Sequence, residues 1–147
     1  MEELKISLFE KGDIDSLVKI EEECFSYPFK AKDFEGLYES DISNVLIAKK
    51  GEDAVGYVSF TVILDECQII NFATQSLYRR QGIGKEIMNA LFSHCKEKGV
   101  TKYFLEVRVS NAPAIALYKS FGFYEVGVSK GHFRAPLEDA LLMNLEL

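Results

Sequence analysis

Apolar residues along the chain switch between a spacing of two and a spacing of three to four, and the switches divide it into strands and helices. Leu4 to Phe9 reads as a short strand turned by Lys11-Gly12. Asp13 stands as the N-cap of a helix in which Ile14, Leu17, Val18, Cys24 and Phe25 recur at helical spacing, with Glu21, Glu22 and Glu23 toward solvent. Tyr27-Pro28 ends it. A second short helix carries Phe34, Leu37 and Tyr38 on one side and Asp33, Glu35 and Glu39 on or near the other. Val45 to Lys49 and Ala54 to Leu64 read as strands about the turn Gly51-Glu52-Asp53, and Asp65-Glu66 turns into a further strand, Cys67 to Thr74. From here the order becomes helical and extended by turns: Thr101 to Val109 as strand, Ala112 to Phe121 as helix, Phe123 to Val128 and Ala140 to Glu146 as strands.

Between Ile69 and Lys85 the pattern is denser. An apolar run (IINFAT) passes through a short polar connection into Arg79-Arg80-Gln81-Gly82-Ile83-Gly84, and an amphipathic helix follows with Ile83, Ile87, Ala90, Leu91 and Cys95 on one face. A strand that enters a glycine-rich turn and opens a helix aims several backbone N–H groups, and the positive end of the helix dipole, at one spot. That makes an anion site. Gly82 and Gly84 let a ligand approach the backbone, and Arg79, Arg80 and Lys85 add charge suited to a pyrophosphate. The competing reading is structural, since glycine pairs at such turns are common. Neither GxxxxGK followed by Ser or Thr nor GxGxxG is present, because Gly82-Ile83-Gly84 runs on into Lys85-Glu86-Ile87.

Composition narrows the field. With 147 residues and 48% hydrophobic content, the chain has material for one domain, residues 1–147, with a proper core. A formal net charge of −6 argues against nucleic acid as the main partner and leaves room for a basic one, such as a cationic peptide or polyamine. No apolar run approaches the ~20 residues that span a bilayer. Charges run through the amino-terminal stretch, so no signal peptide and no membrane partner are expected, and the location expected is the cytoplasm. Cys24, Cys67 and Cys95 are odd in number and widely spaced, and His94 and His132 lie far apart, which predicts free thiols, no disulfide framework and no metal site.

The run RRQGIG resembles the acyl-CoA pyrophosphate loop of the GNAT family of N-acetyltransferases, whose form is Arg or Gln, two residues, Gly, one residue, then Gly or Ala. LEVRVSN and PAIALYKSFGF further resemble the family's RimI-type branch, which acetylates the N-terminal alanine of a small-subunit ribosomal protein. The resemblance covers nearly the whole chain. It implies an α/β fold with a mixed, strongly twisted sheet, helices on both faces, antiparallel pairing at the N-terminal side and parallel pairing at the cofactor site. It also implies acetyl-CoA as co-substrate, the N-terminus of a basic protein as acceptor, and a monomer or weak homodimer. Two rival readings keep part of this picture: acetylation of a small amine or lysine side chain, and a CoA-binding regulatory module without turnover.

Residue by residue, the resemblance assigns the pyrophosphate to Arg79, Arg80, Gln81, Gly82, Ile83, Gly84 and Lys85, and the pantetheine arm to backbone groups of Phe72, Ala73 and Thr74. Asn111 matches a cofactor-contacting asparagine and is also a candidate N-cap. Glu106 matches the general base, although alternation along Thr101 to Val109 also allows a solvated strand residue. Tyr118 matches the general acid that protonates the leaving thiolate, although its spacing also suits a core position. In this family the first two helices wall the acceptor groove, which makes Asp33, Glu35, Glu39 and Asp41 an acidic wall favouring a basic acceptor. Phe29 after Pro28, Thr74-Gln75-Ser76, and Gly131-His132-Phe133 depart from the branch pattern and bear on acceptor choice.

Overall fold

The computed structural model describes residues 3–75, 79, 82–134 and 136–147. Seven strands form a single sheet: β1 (Leu4–Leu8), β2 (Ser43–Lys50), β3 (Asp53–Ile63), β4 (Glu66–Thr74), β5 (Lys102–Arg108), β6 (Tyr124–Arg134) and β7 (Leu137–Glu146). Their order is β1-β2-β3-β4-β5-β7-β6. β1 to β4 pair antiparallel in sequence order, β4 and β5 are parallel, and β5, β7 and β6 are again antiparallel.

β2 shows why helices must cover both faces. Val45, Leu46, Ile47 and Ala48 are all buried, so side chains pointing to either side of the strand leave water. Val45 and Ile47 pack with Tyr57 against α1 (Ile14–Cys24) and α2 (Ala31–Glu39). Leu46 and Ala48 pack with Val58 and Phe60 against α3 (Ile83–Glu97), while Tyr118 of α4 (Ala112–Ser120) closes the same cluster. The predicted face of α3 is the buried one: Ile83, Ile87, Leu91 and Cys95 lie in the core with Met88, and Ala90 packs at its edge.

The first helix differs from its reading in sequence. Its buried residues are Ile14, Leu17, Ile20 and Glu21, whereas Phe25 is exposed, so the apolar stripe is rotated toward Glu21. Glu22 and Glu23 do face solvent. Asp13 is the N-cap residue of α1 but makes no capping bond to it. Its carboxylate instead accepts from the Glu10 N–H at 2.8 Å, across a 3-10 turn at Lys11–Asp13, and pairs with Lys49 Nζ at 2.5 Å.

The last two strands are longer than their alternation predicted. β6 runs on to Arg134 and β7 begins at Leu137, so together they form a long hairpin. Its register slips between Ser129 and Phe133, where Gly131 takes φ +63° and its N–H donates to Asp139 Oδ1 at 2.8 Å. A bulge of this kind bends a strand and re-aims a side chain. Here the side chain is that of His132.

Candidate active site

Parallel pairing between β4 and β5 lasts only from Glu66 to Gln68 against Lys102 to Phe104. Beyond it the strands part, and β4 keeps only its β3 neighbour while β5 keeps only β7. The edge of β4 from Ile69 to Thr74 that faces the gap therefore has no ladder partner on that side, which leaves backbone donors and acceptors for a ligand. A cleft of about 420 Å³ fills the gap. Its walls come from β4 and β5, from Tyr118 and Asn111 at α4, from Phe25, Tyr27 and Phe29 between the first two helices, and from His132 and Phe133 of the hairpin.

At the mouth of α3, Gly82 is the N-cap with φ +78°, a conformation that favours glycine. The first helical bond runs from the Glu86 N–H to the Gly82 carbonyl at 3.1 Å, so the N–H groups of Ile83, Gly84 and Lys85 have no acceptor within the helix. The Ile83 side chain is in the core, which leaves only its backbone at the helix mouth; Lys85 is exposed. Gly84 has a packing reason of its own: a Cβ there would meet the Phe72 ring at 3.1 Å and a Leu117 methyl at 3.3 Å. Arg79 turns back on the chain, with Nε donating to the Thr74 carbonyl at 3.1 Å and Nη2 to Cys24 Sγ at 3.4 Å. Arg80 and Gln81 lie outside the described residues.

Phe72 and Thr74 are partly buried and Ala73 is buried, side by side on the unpaired stretch of β4. Phe72 stands edge-on to Tyr118, with ring centroids 6.1 Å apart, and this contact ties α4 to β4 across the cleft. Tyr118 is 5% exposed, and burial pushes its phenol well above the ordinary range, so the hydroxyl is protonated throughout the neutral range. Asn111 caps α4, its Oδ1 accepting from the Ala114 N–H at 3.3 Å. Glu106 projects from β5 between buried Leu105 and Val107, its side chain 40% exposed to the cleft. His132 reaches it from the hairpin, Nε2 to Oε2 at 2.6 Å.

The hairpin is held over β5 by Arg108. Its Nη1 donates to the Pro136 carbonyl at 2.8 Å and to Glu138 Oε1 at 3.2 Å, while its guanidinium lies 4.4 Å from the Phe133 ring centroid. Glu138 Oε2 accepts from the Ser110 N–H at 2.8 Å, and the Ser110 hydroxyl first, then this N–H and Arg108, hold its carboxyl below the usual carboxylate range.

Sequence reasoning missed Glu21. Its carboxylate is 1% exposed and accepts from the Tyr57 hydroxyl, from the Phe29 N–H at 2.8 Å and from Asn71 Nδ2 at 3.4 Å. Desolvation raises its pKa against the opposing effect of the Tyr57 and Phe29 bonds. The signal was present: Leu17, Glu21 and Cys24 share one helical face, which the glutamate's polarity disguised. Phe29 and Asn71 both line the cleft, so Glu21 braces its back wall. The acidic wall is corrected too. Asp33, Glu35, Glu39 and Asp41 are exposed, and none lines the cleft; Asp33 caps its own helix by accepting from the Lys30 N–H at 2.8 Å. Among the described residues no three His, Cys, Asp or Glu side chains gather as metal ligands, and Cys24, Cys67 and Cys95 are free thiols.

The model of the acetyltransferase (GNAT) family matches residues 14–123. A Bacillus subtilis (strain 168) protein is 36% identical over 132 residues, 89% of this chain and 87% of its own. The ribosomal protein bS18-alanine N-acetyltransferase of Escherichia coli (strain K12) is 33% identical over 144 residues, 97% of each chain. The crystal structure of the ribosomal-protein-S18-alanine N-acetyltransferase from Escherichia coli superimposes with a TM-score of 0.90 at 30% identity, over 98% of this chain and 94% of the other.

Proposed function

Because this chain belongs to the acetyltransferase (GNAT) family and is an N-acetyltransferase, we propose that it moves the acetyl group of acetyl-CoA to the α-amine of a protein N-terminus, the alanine of ribosomal protein bS18. The observation that carries this reading is the cleft at the parting of β4 and β5, which has Glu106 on one strand and Tyr118 on the facing helix. Glu106 acts as general base toward the acceptor ammonium, and Tyr118 as general acid toward the leaving thiolate.

Acetyl-CoA is the co-substrate. The N–H groups at the start of α3 that have no acceptor within the helix, with Gly82 and Lys85, suit its pyrophosphate, and Arg79, Arg80, Gln81, Ile83 and Gly84 belong to the same loop. Phe72, Ala73 and Thr74 offer the unpaired β4 edge to the pantetheine arm, and Asn111 stands beside it. The buried phenol of Tyr118 stays protonated and gives up its proton only to a thiolate formed beside it. An α-amine has pKa ~7.7–8.0 and a lysine ~10.4, so near neutral pH roughly one α-amine in ten is already neutral, against far fewer lysines. A carboxylate base therefore suits an N-terminus better than a lysine side chain.

The acceptor's recognition rests on the rim formed by Phe25, Tyr27, Phe29 and the hairpin, since the α2 acids stand outside it. A peptide beginning Ala-Arg, incubated with the enzyme and acetyl-CoA and read by mass spectrometry, is expected to gain one acetyl group on its α-amine. Acetylation confined to internal lysines or to free polyamines would overturn the acceptor.

A further inference from the structure

The glycine-marked bulge in the hairpin has a consequence for proton transfer. It swings His132 out of the β6/β7 register and across to β5, where its Nε2 meets Glu106 Oε2 at 2.6 Å in the wall of the cleft. Both side chains remain partly open, 35% and 40%, so a substrate amine or one bridging water can reach them. The imidazole also meets Phe133, whose ring stands edge-on at 4.9 Å between centroids, and Phe133 is in turn covered by Arg108. A histidine held at hydrogen-bond distance from a carboxylate, its second nitrogen without a bond among those described, is the arrangement in which a carboxylate orients an imidazole and stabilises its cation.

We propose that His132 is a catalytic residue of this enzyme and forms with Glu106 a carboxylate–imidazole dyad that takes the proton of the acceptor ammonium. This deepens the reading above and rests on it. In the resting dyad the neutral imidazole donates Nε2–H to the Glu106 carboxylate. The ammonium gives one proton to Nδ1, directly or through one water, and the imidazolium is held by the carboxylate opposite. The freed nitrogen lone pair attacks the thioester carbonyl carbon. Collapse of the tetrahedral adduct breaks the C–S bond, the thiolate takes the Tyr118 proton, and the second proton of the nitrogen restores the phenol through solvent. The imidazolium releases its proton to water. Ammonium and thioester have then become amide, thiol and one proton.

Among the described residues, the titratable groups lining the cleft around the dyad are Arg108 on β5, Arg134 on β6, Tyr118 on α4, and Cys24 and Tyr27 at the end of α1, with Glu138 on β7 behind Arg108. Arg108 is engaged with Glu138 and the Pro136 carbonyl, so its charge is partly balanced before it reaches the imidazole.

The test compares His132→Ala, His132→Phe and Glu106→Gln in steady-state acetylation of the Ala-Arg peptide across pH. His132→Ala is expected to lose kcat by roughly tenfold or more with the KM for acetyl-CoA nearly unchanged, and added imidazole is expected to restore part of the rate. His132→Phe preserves the ring contact with Phe133 and cannot hold a proton, so it is expected to be as slow and not to respond to imidazole. A wild-type rate and pH profile in His132→Phe would overturn the dyad. If Glu106→Gln is slow while both His132 variants are fast, the proton goes to the carboxylate alone, and this inference falls while the role of Glu106 stands. If all three are fast, both fall.

Discussion

The two walls of the cleft each carry a glutamate, and their surroundings are opposite. Glu21, behind the β4 wall, is 1% exposed and its oxygens are occupied by Tyr57, Phe29 and Asn71. Glu106, on the β5 wall, is 40% exposed and meets His132 alone among the bonds and ion pairs described. In sequence they look alike: Ile20-Glu21 and Leu105-Glu106-Val107 both set a carboxylate among buried aliphatics. A carboxylate whose lone pairs are used by its own chain braces the structure. One with an open face toward a cleft is able to exchange protons with a substrate. The contrast places a brace behind one wall and, in the proposed reading, proton transfer on the other.

Substitution is the direct way to break that contrast, and the largest effect falls on the open wall. Glu106→Gln is expected to lower kcat by ~10²-fold or more, about 2.7 kcal/mol of barrier, while the urea midpoint stays at the wild-type value. A variant that unfolded earlier at an unchanged rate would exchange the roles of the two glutamates. Tyr118→Phe should cost a comparable factor in kcat with little change in the KM for acetyl-CoA, because the ring contacts with Phe72 and Phe123 survive the loss of the hydroxyl.

The closed wall should answer in stability. Glu21→Ala leaves the Tyr57 hydroxyl and the Phe29 N–H without their acceptor, and roughly 2 kcal/mol of unfolding free energy is expected to go, measured by urea denaturation. The sign with pH sharpens this. Burial raises the Glu21 pKa above its ordinary 4.5, so the folded state binds that proton more tightly than the unfolded one. Its contribution is fully present below about 4.5 and is lost as pH rises from there through the raised value. Thermal midpoints of Glu21→Gln across that window should show a shallower fall with pH than the wild type.

The smallest effect belongs to the helix mouth. Gly82→Ala has open space around its new methyl but must keep φ +78°, and about 1 kcal/mol of stability is expected to be lost in thermal melts. A much larger loss would mean that the turn is held by more than backbone conformation.

The amphipathic face of α3, the strand that leads to it and the glycine turn between them were legible because each depends on near neighbours. Periodicity identifies a face when its buried residues are apolar, and a turn that needs positive φ writes glycine into the chain. The motif singled out Glu106 and Tyr118, and β5 and α4 bring both into the lining of one cleft. The stripe of α1 was misread because one of its buried positions is a carboxylate, made tolerable by donors from three places outside the helix: Tyr57 on β3, Asn71 on β4 and Phe29 beyond its end. The hairpin was cut short because Gly131 interrupts the alternation of β6, and a strand's extent past a bulge depends on the partner it finds, here Leu137 to Ala140.

By itself, then, the order of residues determined the local elements and the chemical groups available to them. Three-dimensional packing decided which of those groups meet: it turned Glu21 inward, left the acids of α2 outside the cleft, and carried His132 to Glu106 across 26 positions of chain. The physical reason is one of range. Side-chain periodicity and backbone conformation are settled within a few residues, whereas desolvation and hydrogen-bond pairing are settled by whatever the completed sheet brings within about 3 Å.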